Sequence, residues 1–217
     1  MFKASDFFTL PDSLPFKDFF DPSSPPWAWV EQIQKALAQF DFAKYPHKLL
    51  IPAGFTVGKQ VYLDASVKLP PYGVIEGPAY IGAHTELRPG VYIRQNVIVG
   101  AACVLGNACE YKNCLLMDGV ATPHYNYVGD SILGNKAHMA AGSILANLRL
   151  DKAPITIKTE GQLIQTGLRK LGALIGEGAE IGCNAVLQPG TLLGKNAIVM
   201  PTLAFGGYLA PGARAKS

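Results

Sequence analysis

The chain has 217 residues, 49% of them hydrophobic and 16% charged, with 23 glycines, 16 prolines and a formal net charge of +3. This length suits one globular domain, and the glycine and proline content argues against a mainly helical fold. Every apolar stretch is broken before the ~20 residues that a membrane-spanning helix needs, so we expect no membrane span. The basic residues are scattered, which argues against nucleic-acid binding.

The N-terminal residues and the cysteines bear on where the protein works. Residues 1–10 lack the charged start, apolar middle and small-residue cleavage site of a secretory signal, so we expect a cytoplasmic protein. The four cysteines, Cys103, Cys109, Cys114 and Cys183, form no CxxC pair and have no histidine at zinc-ribbon spacing. We therefore expect reduced, mostly buried thiols and no metal site.

Residues 1–50 differ in pattern from the rest of the chain. The segment SSPP at 23–26 has the composition of a helix start with proline in the first turn. An apolar stripe at helical spacing follows it, which predicts a short amphipathic helix. We expect this N-terminal helical cap to cover the open end of the repeat that follows, with docking of a partner protein as the alternative. The stripe consists of Trp27, Val30, Ile33, Leu37 and Phe40.

A period of six residues dominates the rest of the chain. Steps of six from Val57 to Met117 land on eleven residues, all of them apolar. Glycine or a short polar residue often follows, as a sharp bend between short strands requires. Hexads of this kind predict an all-β parallel helix in which three strands form one coil of ~18 residues and successive coils stack at ~4.8 Å.

The hexad frame is interrupted twice. It is lost after Met117 and resumes at Tyr127, four residues later than expected, which predicts a loop insertion near 122–126. Residues 147–173 break the pattern again and contain a polar run, so we interpret them as an excursion or hairpin. The β-helix is therefore expected to span residues 51–217 with these two interruptions.

Catalytic side chains on a β-helix must project outward, because aliphatic side chains fill its interior. The predicted insertion carries PHYN at 123–126, and a histidine on an outward bulge is suited to general base catalysis. His124 is therefore the first candidate for a catalytic residue. The alternative is an ordinary surface histidine.

Five segments make a family resemblance specific over about residues 75–205: EYKNC, PHYNYVGDSILG, AAGSILANLRLD, TGLRKLGALIGE and IGCNAVLQPG. They resemble the acetyltransferase half of the bifunctional glucosamine-1-phosphate acetyltransferase and N-acetylglucosamine-1-phosphate uridyltransferase. They are more similar still to the β-helical C-terminal parts of related bacterial and archaeal sugar-phosphate nucleotidyltransferases. The resemblance implies a left-handed β-helix, a homotrimer, acetyl-CoA as co-substrate and an amino-sugar phosphate as acceptor.

The resemblance also assigns catalytic and coenzyme-binding residues. His124 falls where the family has its general base, which takes a proton from the 2-amino group of the sugar. Ala140 and Ala141 match the stretch whose backbone N–H faces the thioester carbonyl and stabilises the oxyanion. Coenzyme A is expected near the last block of hexads, which contains Cys183.

The substrate-binding residues follow in the same way. Lys112 matches a lysine that holds the sugar phosphate, Tyr127 a substrate-contacting tyrosine, and Asn147 an asparagine that contacts the amino sugar. The family's phosphate-binding arginine falls on Arg94, one coil of ~18 residues before the lysine, and the two cations would stack ~4.8 Å apart. Arg88 is the reserve candidate, because the RPG sequence typical of that position occurs there.

Two positions depart from the family pattern. His138 stands where the family has a substrate-binding asparagine, and an imidazole is bulkier and can carry charge. Lys152 lies one residue short of a family lysine.

Lys112 and His124 are predicted at different corners of the triangular coil, ~13 to 17 Å apart. We therefore expect the site to form between subunits of the homotrimer.

Nucleotidyl transfer by this chain alone is not expected, because a GK[ST] phosphate loop and the uridyltransferase domain are absent from it. Two alternatives to an acetyltransferase remain open on the sequence. One is a non-catalytic or partner-dependent relative of the sugar-phosphate nucleotidyltransferases. The other is a metal enzyme of the carbonic anhydrase type using His84, His124 and His138. The hexad count places the first two of these on one edge, ~9.6 Å apart, too far to share an ion within one chain.

Overall fold

The computed structural model describes residues 2–46, 48–159 and 161–216. Within them lie one α-helix, α1 (Trp29–Gln39), and four short 3-10 helices, Ala4–Asp6, Lys17–Phe19, Pro26–Ala28 and Phe42–Lys44. No helix in these ranges is long and apolar enough to cross a membrane. The strands are β1 (Gly54–Val57), β2 (Val61–Leu63), β3 (Tyr72–Ile75), β4 (Ala79–Ile81), β5 (Glu86–Leu87), β6 (Val91–Ile93), β7 (Val97–Val99), β8 (Val104–Asn107), β9 (Glu110–Leu116), β10 (Ala121–His124), β11 (Tyr127–Leu133), β12 (His138–Met139), β13 (Ile144–Leu145), β14 (Thr156–Lys158), β15 (Leu163–Gln165), β16 (Ala173–Ile175), β17 (Glu180–Ile181), β18 (Val186–Leu187), β19 (Thr191–Leu193), β20 (Ile198–Val199), β21 (Ala204–Phe205), β22 (Tyr208–Leu209) and β23 (Arg214–Ala215).

The strands form a triangular prism whose three faces are parallel ladders. The first face stacks eight strands in the order β1, β3, β6, β9, β11, β13, β18 and β21. The second runs β2, β4, β7, the ends of β9 and β11, then β16, β19 and β22. The third runs β5, β8, β10, β12, β17, β20 and β23. These pairings confirm the predicted parallel β-helix.

The frame shift has a different cause from the predicted insertion near 122–126. Val128 pairs with Tyr111, whereas Ile93 pairs with Ile75, so the coil that ends at Val128 is one residue shorter than the coil that ends at Ile93. No residues have been added, because β10 pairs in regular parallel register with β8 through this segment. Instead, β9 and β11 each run across a corner of the prism with one residue fewer than a full hexad. Two corners that are each one residue short shift a six-residue frame in the same way as four added residues, so the hexad count could not distinguish the two.

The shortened corners also change which residues face inward. Leu116 and Val128 are in the core of the prism, whereas the hexad frame assigned Met117 and Tyr127 to it. Met117 packs instead in a second cluster outside the prism, and Tyr127 is half-buried on the first face. An outward Tyr127 is available for contact with a ligand, which an inward one would not be.

The N-terminal residues cover the outside of the second face, whereas the sequence pattern predicted a cap over the end of the prism. Helix α1 packs against β7, β9 and β11, with Trp29, Ile33 and Leu37 at most 1% exposed. The reason is an apolar column on the outer side of that face, one residue per coil, which would otherwise be exposed to water. Its members are Tyr62, Tyr80, Ile98, Leu115, Ile132, Leu174, Leu192 and Tyr208.

The predicted excursion at 147–173 contains an antiparallel hairpin of β14 and β15. Its base is closed where the N–H of Leu171 donates to the carbonyl of Asn147 at 3.1 Å. Ile155 and Ile157 are fully buried in the same outer cluster as α1. The chain thus leaves the prism to cover the second face and returns in β16.

Replacing Ile33 in α1 tests how far this outer cluster stabilises the fold. Ile33→Ala removes a fully buried side chain, so we expect the free energy of unfolding to fall by about 2–5 kcal/mol. The control is Lys35→Ala on the exposed side of the same helix, with an expected change within about 0.5 kcal/mol. Urea unfolding followed by circular dichroism measures both, and equal losses would contradict the packing of α1 on the prism.

Candidate active site

His124, Ala141 and Cys183 occupy equivalent positions in successive coils at one edge of the prism, where the third face turns into the first. Backbone hydrogen bonds link these positions from coil to coil: the N–H of Gly142 donates to the His124 carbonyl at 3.0 Å, and that of Asn184 to the Ala141 carbonyl at 2.9 Å. Neighbouring positions in such a ladder are ~4.8 Å apart. We call this edge the histidine corner.

The side chain of His124 is exposed at the end of β10. Its backbone N–H donates to the Asn126 Oδ1 at 3.3 Å, which fixes the start of the turn without engaging the ring. The adjacent Tyr125 takes a left-handed φ of 53° and is 62% exposed. The imidazole therefore stands at an open edge, beside a backbone that hydrogen bonds hold in place.

Ala140 and Ala141 form the turn directly above His124. The Ala140 carbonyl accepts hydrogen bonds from the side chains of Asn126 and Ser143. Among the hydrogen bonds of the described ranges, none uses the N–H of Ala141. An available N–H above an exposed imidazole is the arrangement that an oxyanion-stabilising donor requires.

A second group of polar side chains lies at the edge where the first face turns into the second, which we call the lysine corner. Its centre is Asp130, a carboxylate that is 4% exposed and takes a left-handed φ of 48°. Lys112 Nζ lies 3.2 Å from both carboxylate oxygens, and the Asn113 Nδ2 donates to Oδ1 at 2.9 Å. Asn147 Nδ2 donates to Oδ2 at 2.5 Å. Asp130 therefore orients one cation and two amides toward the same edge.

Tyr127 reaches the lysine corner from the middle of the first face. Asn147 Nδ2 also lies 3.2 Å from the Tyr127 Oη. Gly129 makes room for this contact, because a Cβ at that position would lie 2.5 Å from the hydroxyl oxygen of Tyr127. Burial, followed by the charges of Asp130 and Glu110, raises the pKa of Tyr127. The phenol is therefore a neutral hydrogen-bonding group at neutral pH.

The two arginine candidates lie at different corners. Arg94 is one coil below Lys112 at the lysine corner, where its Nη1 is 2.9 Å from the Glu110 Oε1. Arg88 ends the third face near the histidine corner, and its Nε is 2.8 Å from the Glu86 Oε1. The register therefore brings Arg94, and not Arg88, together with the lysine.

The three histidines of the metal-enzyme alternative are not aligned. His84 lies where the second face turns into the third, so it does not share an edge with His124 as the hexad count placed it. His138 projects from the third face, with Nδ1 2.7 Å from the Glu180 Oε2. Across the described ranges, no group of three or more His, Cys, Asp or Glu side chains is arranged to hold a metal ion.

Sequence reasoning missed Asp130 and Glu110, the two carboxylates that pair with the predicted cations. The signal was present, because Asp130 follows Lys112 by about one coil, and Asn147 follows Asp130 by about one coil more. Applying the coil length to acidic as well as basic residues would have placed Asp130 between them.

The C-terminal domain of GMPPB is the family model that matches residues 75–167. The bifunctional protein GlmU of Methanococcus vannielii is 37% identical over 111 residues, covering 51% of this chain and 27% of that protein. The bifunctional sugar-1-phosphate nucleotidylyltransferase/acetyltransferase of Sulfurisphaera tokodaii is 38% identical over 113 residues, with coverages of 52% and 28%. The chain thus spans little more than a quarter of either relative.

A relative of similar size decides the family. The uncharacterized acetyltransferase YaiX of Escherichia coli K12 is 30% identical over 155 residues, covering 69% of this chain and 67% of that protein. The chain belongs to the hexapeptide-repeat acetyltransferases. Within this hexapeptide-repeat protein, the matched family model includes the histidine and lysine corners as far as residue 167 and leaves out Cys183.

The four thiols are expected to differ sharply in reactivity. Burial raises the pKa of Cys103 to about 12 and also raises the pKa values of Cys109 and Cys114, while Cys183 is exposed. Because the thiolate is the reactive form, we expect one thiol per native chain to react with a disulfide dye at pH 8, and four after denaturation. Cys183→Ser is expected to abolish the native reaction. Reaction of any thiol in the folded Cys183→Ser variant would contradict the buried positions of the other three.

Proposed function

We propose that the chain transfers the acetyl group of acetyl-CoA to the amino group of an amino-sugar phosphate such as glucosamine 1-phosphate. The observation that carries this proposal is the stacking of the exposed His124 below the unused N–H of Ala141 at one corner. A base and an oxyanion donor ~4.8 Å apart are what attack of an amine on a thioester needs. Family membership supports acyl transfer. Similarity to the bifunctional sugar-1-phosphate nucleotidylyltransferase/acetyltransferase of Sulfurisphaera tokodaii supports the sugar-1-phosphate acceptor.

In the proposed reaction the acceptor nitrogen attacks the thioester carbon while the imidazole of His124 takes a proton from that nitrogen. The N–H of Ala141 donates to the carbonyl oxygen as it becomes negative, and the tetrahedral intermediate then expels the coenzyme A sulfur. The proton on the imidazole passes to the departing thiolate, which leaves as a thiol. Coenzyme A would extend along the histidine corner past Cys183, the next position of the column.

The phosphate of the acceptor is proposed to bind at a lysine corner. Lys112 keeps a side-chain exposure of 25%, so a phosphate oxygen can reach its ammonium while Asp130 still orients it. Arg94 supplies a second cation one coil below, and the Tyr127 hydroxyl and Asn147 amide are placed for sugar hydroxyls. His138 takes no part in this arrangement, because it projects from the third face with Glu180.

The two corners bound opposite sides of the first face, which favours a site shared between chains. We propose a homotrimer in which the histidine corner of one subunit meets the lysine corner of its neighbour. The outer side of the first face supports such packing, since it is largely apolar or aromatic and carries the exposed Val74. Its central column is Thr56, Val74, Tyr92, Glu110, Tyr127, Ile144, Val186 and Ala204.

Replacement of His124 tests the proposed reaction directly. With acetyl-CoA and glucosamine 1-phosphate, we expect wild type to form the N-acetylated sugar and His124→Asn to lose about 100-fold or more in kcat, because asparagine cannot take the proton. Mass spectrometry of the sugar is the measurement of choice, since the exposed Cys183 would itself consume a disulfide dye.

His84→Asn is the matched control for that variant. His84 is also an exposed corner histidine, and asparagine tolerates its left-handed φ of 59°. We expect the control to keep wild-type activity. Equal activity in the two variants would refute the role of His124, and no product from wild type with a panel of amino-sugar phosphates would favour a non-catalytic relative.

Lys112→Met tests phosphate recognition. Loss of a charge-assisted contact is expected to raise KM for glucosamine 1-phosphate by about 10- to 100-fold, with a smaller change in kcat. With glucosamine as acceptor the variant and wild type should have similar KM values, because there is no phosphate to bind. Lys68→Met on the third face is the control, and an equal effect on both acceptors would contradict a phosphate contact.

A further inference from the structure

Two polar residues interrupt an inward-facing column that is otherwise apolar. Asn126 is 2% exposed and Ser143 is fully buried, and they occupy this column in consecutive coils beside the histidine corner. A buried amide or hydroxyl is unfavourable unless it is hydrogen-bonded, so their place in the core calls for specific partners. The other members of the column are Phe55, Gly73, Val91, Cys109, Ala185 and Leu203.

Asn126 connects the two turns that form the proposed reaction centre. Its Nδ2 donates to the Ala140 carbonyl at 2.9 Å and to the Ser143 Oγ at 2.9 Å. Its Oδ1 accepts from the backbone N–H of His124 at 3.3 Å. One buried amide therefore ties the turn that presents the imidazole to the turn that lies above it.

The Ala140 carbonyl has further donors. Ser143 Oγ donates to it at 2.8 Å, and the Ser143 N–H at 3.3 Å. This carbonyl belongs to the same peptide group as the N–H of Ala141, and in a trans peptide the two bonds point in opposite directions. Anchoring the carbonyl toward buried Asn126 and Ser143 therefore directs the N–H of Ala141 away from them, toward the open corner.

We propose that Asn126 and Ser143 are positioning residues that hold the 140–141 peptide with its N–H directed outward above His124. This inference rests on the proposed acyl transfer and adds the residues that prepare the oxyanion site before substrate binds. Neither residue reaches the edge of the prism, so neither is expected to contact substrate. Their loss should act on kcat and leave substrate binding intact.

Ser143→Val and Ser143→Thr form a matched pair, because they differ only by a methyl group in place of a hydroxyl. Both fit a column that already accommodates Val91. We expect Ser143→Val and Asn126→Ala each to lower kcat about 10- to 100-fold, which is less than the fall in kcat when an oxyanion donor is removed outright. Their KM values should stay within about twofold of wild type. Ser143→Thr should retain kcat within about threefold.

Thr191→Val controls for the loss of a buried hydroxyl as such. Thr191 makes the same contact to a residue three positions earlier, with its Oγ1 2.7 Å from the Gln188 carbonyl, but in a later coil. We expect this variant to lose stability as Ser143→Val does and to keep wild-type kcat. A fall in kcat no greater in Ser143→Val and Asn126→Ala than in Thr191→Val would overturn the inference.

A crystal structure of Ser143→Val combined with Asn126→Ala separates this inference from the proposed function. We expect the 140–141 peptide to rotate so that the Ala141 N–H no longer points outward. An unchanged peptide would overturn the inference whether or not the chain is an acetyltransferase. If wild type transfers no acetyl group, the proposed function fails while the peptide orientation still decides the positioning role. Should the double variant not fold, Ser143→Val alone gives the same readout.

Discussion

The parallel ladder is the constraint on which both corners depend. Backbone N–H groups along each face donate to a neighbouring coil, so a residue's neighbours in space are those one coil away in sequence. Side chains in equivalent positions therefore form columns along the prism, and a function that needs several groups can be assembled from consecutive members of a column. His124, Ala141 and Cys183 form one such column, and Arg94 and Lys112 lie in another, beside Asp130.

The period of six made the architecture predictable, because inward positions such as Ile75, Ile93 and Leu105 repeat without interruption over the first coils. The hexad frame failed where β9 and β11 cross a corner with one residue fewer. A shortened corner and a lengthened loop shift the frame in ways that counting alone does not separate. The pairing of Val128 with Tyr111 and that of β10 with β8 reveal which one occurred.

The family resemblance assigned Lys112, Tyr127 and Asn147 as substrate-binding residues, and the structure brings these three side chains together at one corner. What the repeat did not show was how those groups are held. Asp130 and Asn126 hold the groups around them through hydrogen bonds of their side chains. Those bonds depend on the left-handed φ of Asp130 and on the burial of Asn126, and the repeat pattern indicates neither. The position of α1 was likewise missed, since the outer column that it covers is periodic over whole coils and not over hexads.

The packing of the N-terminal residues has a consequence for the order of folding. The carbonyl of Thr9 accepts from the Asn135 side chain at 2.7 Å, and that of Phe7 from the N–H of Glu177 at 3.2 Å. The contacts of Phe7 and Thr9 therefore form only after the chain has wound as far as β16, the strand that precedes Glu177. The Thr9 contact spans 126 residues of sequence, so docking of this segment is a late, long-range step of folding, and Phe7 stays exposed until it occurs.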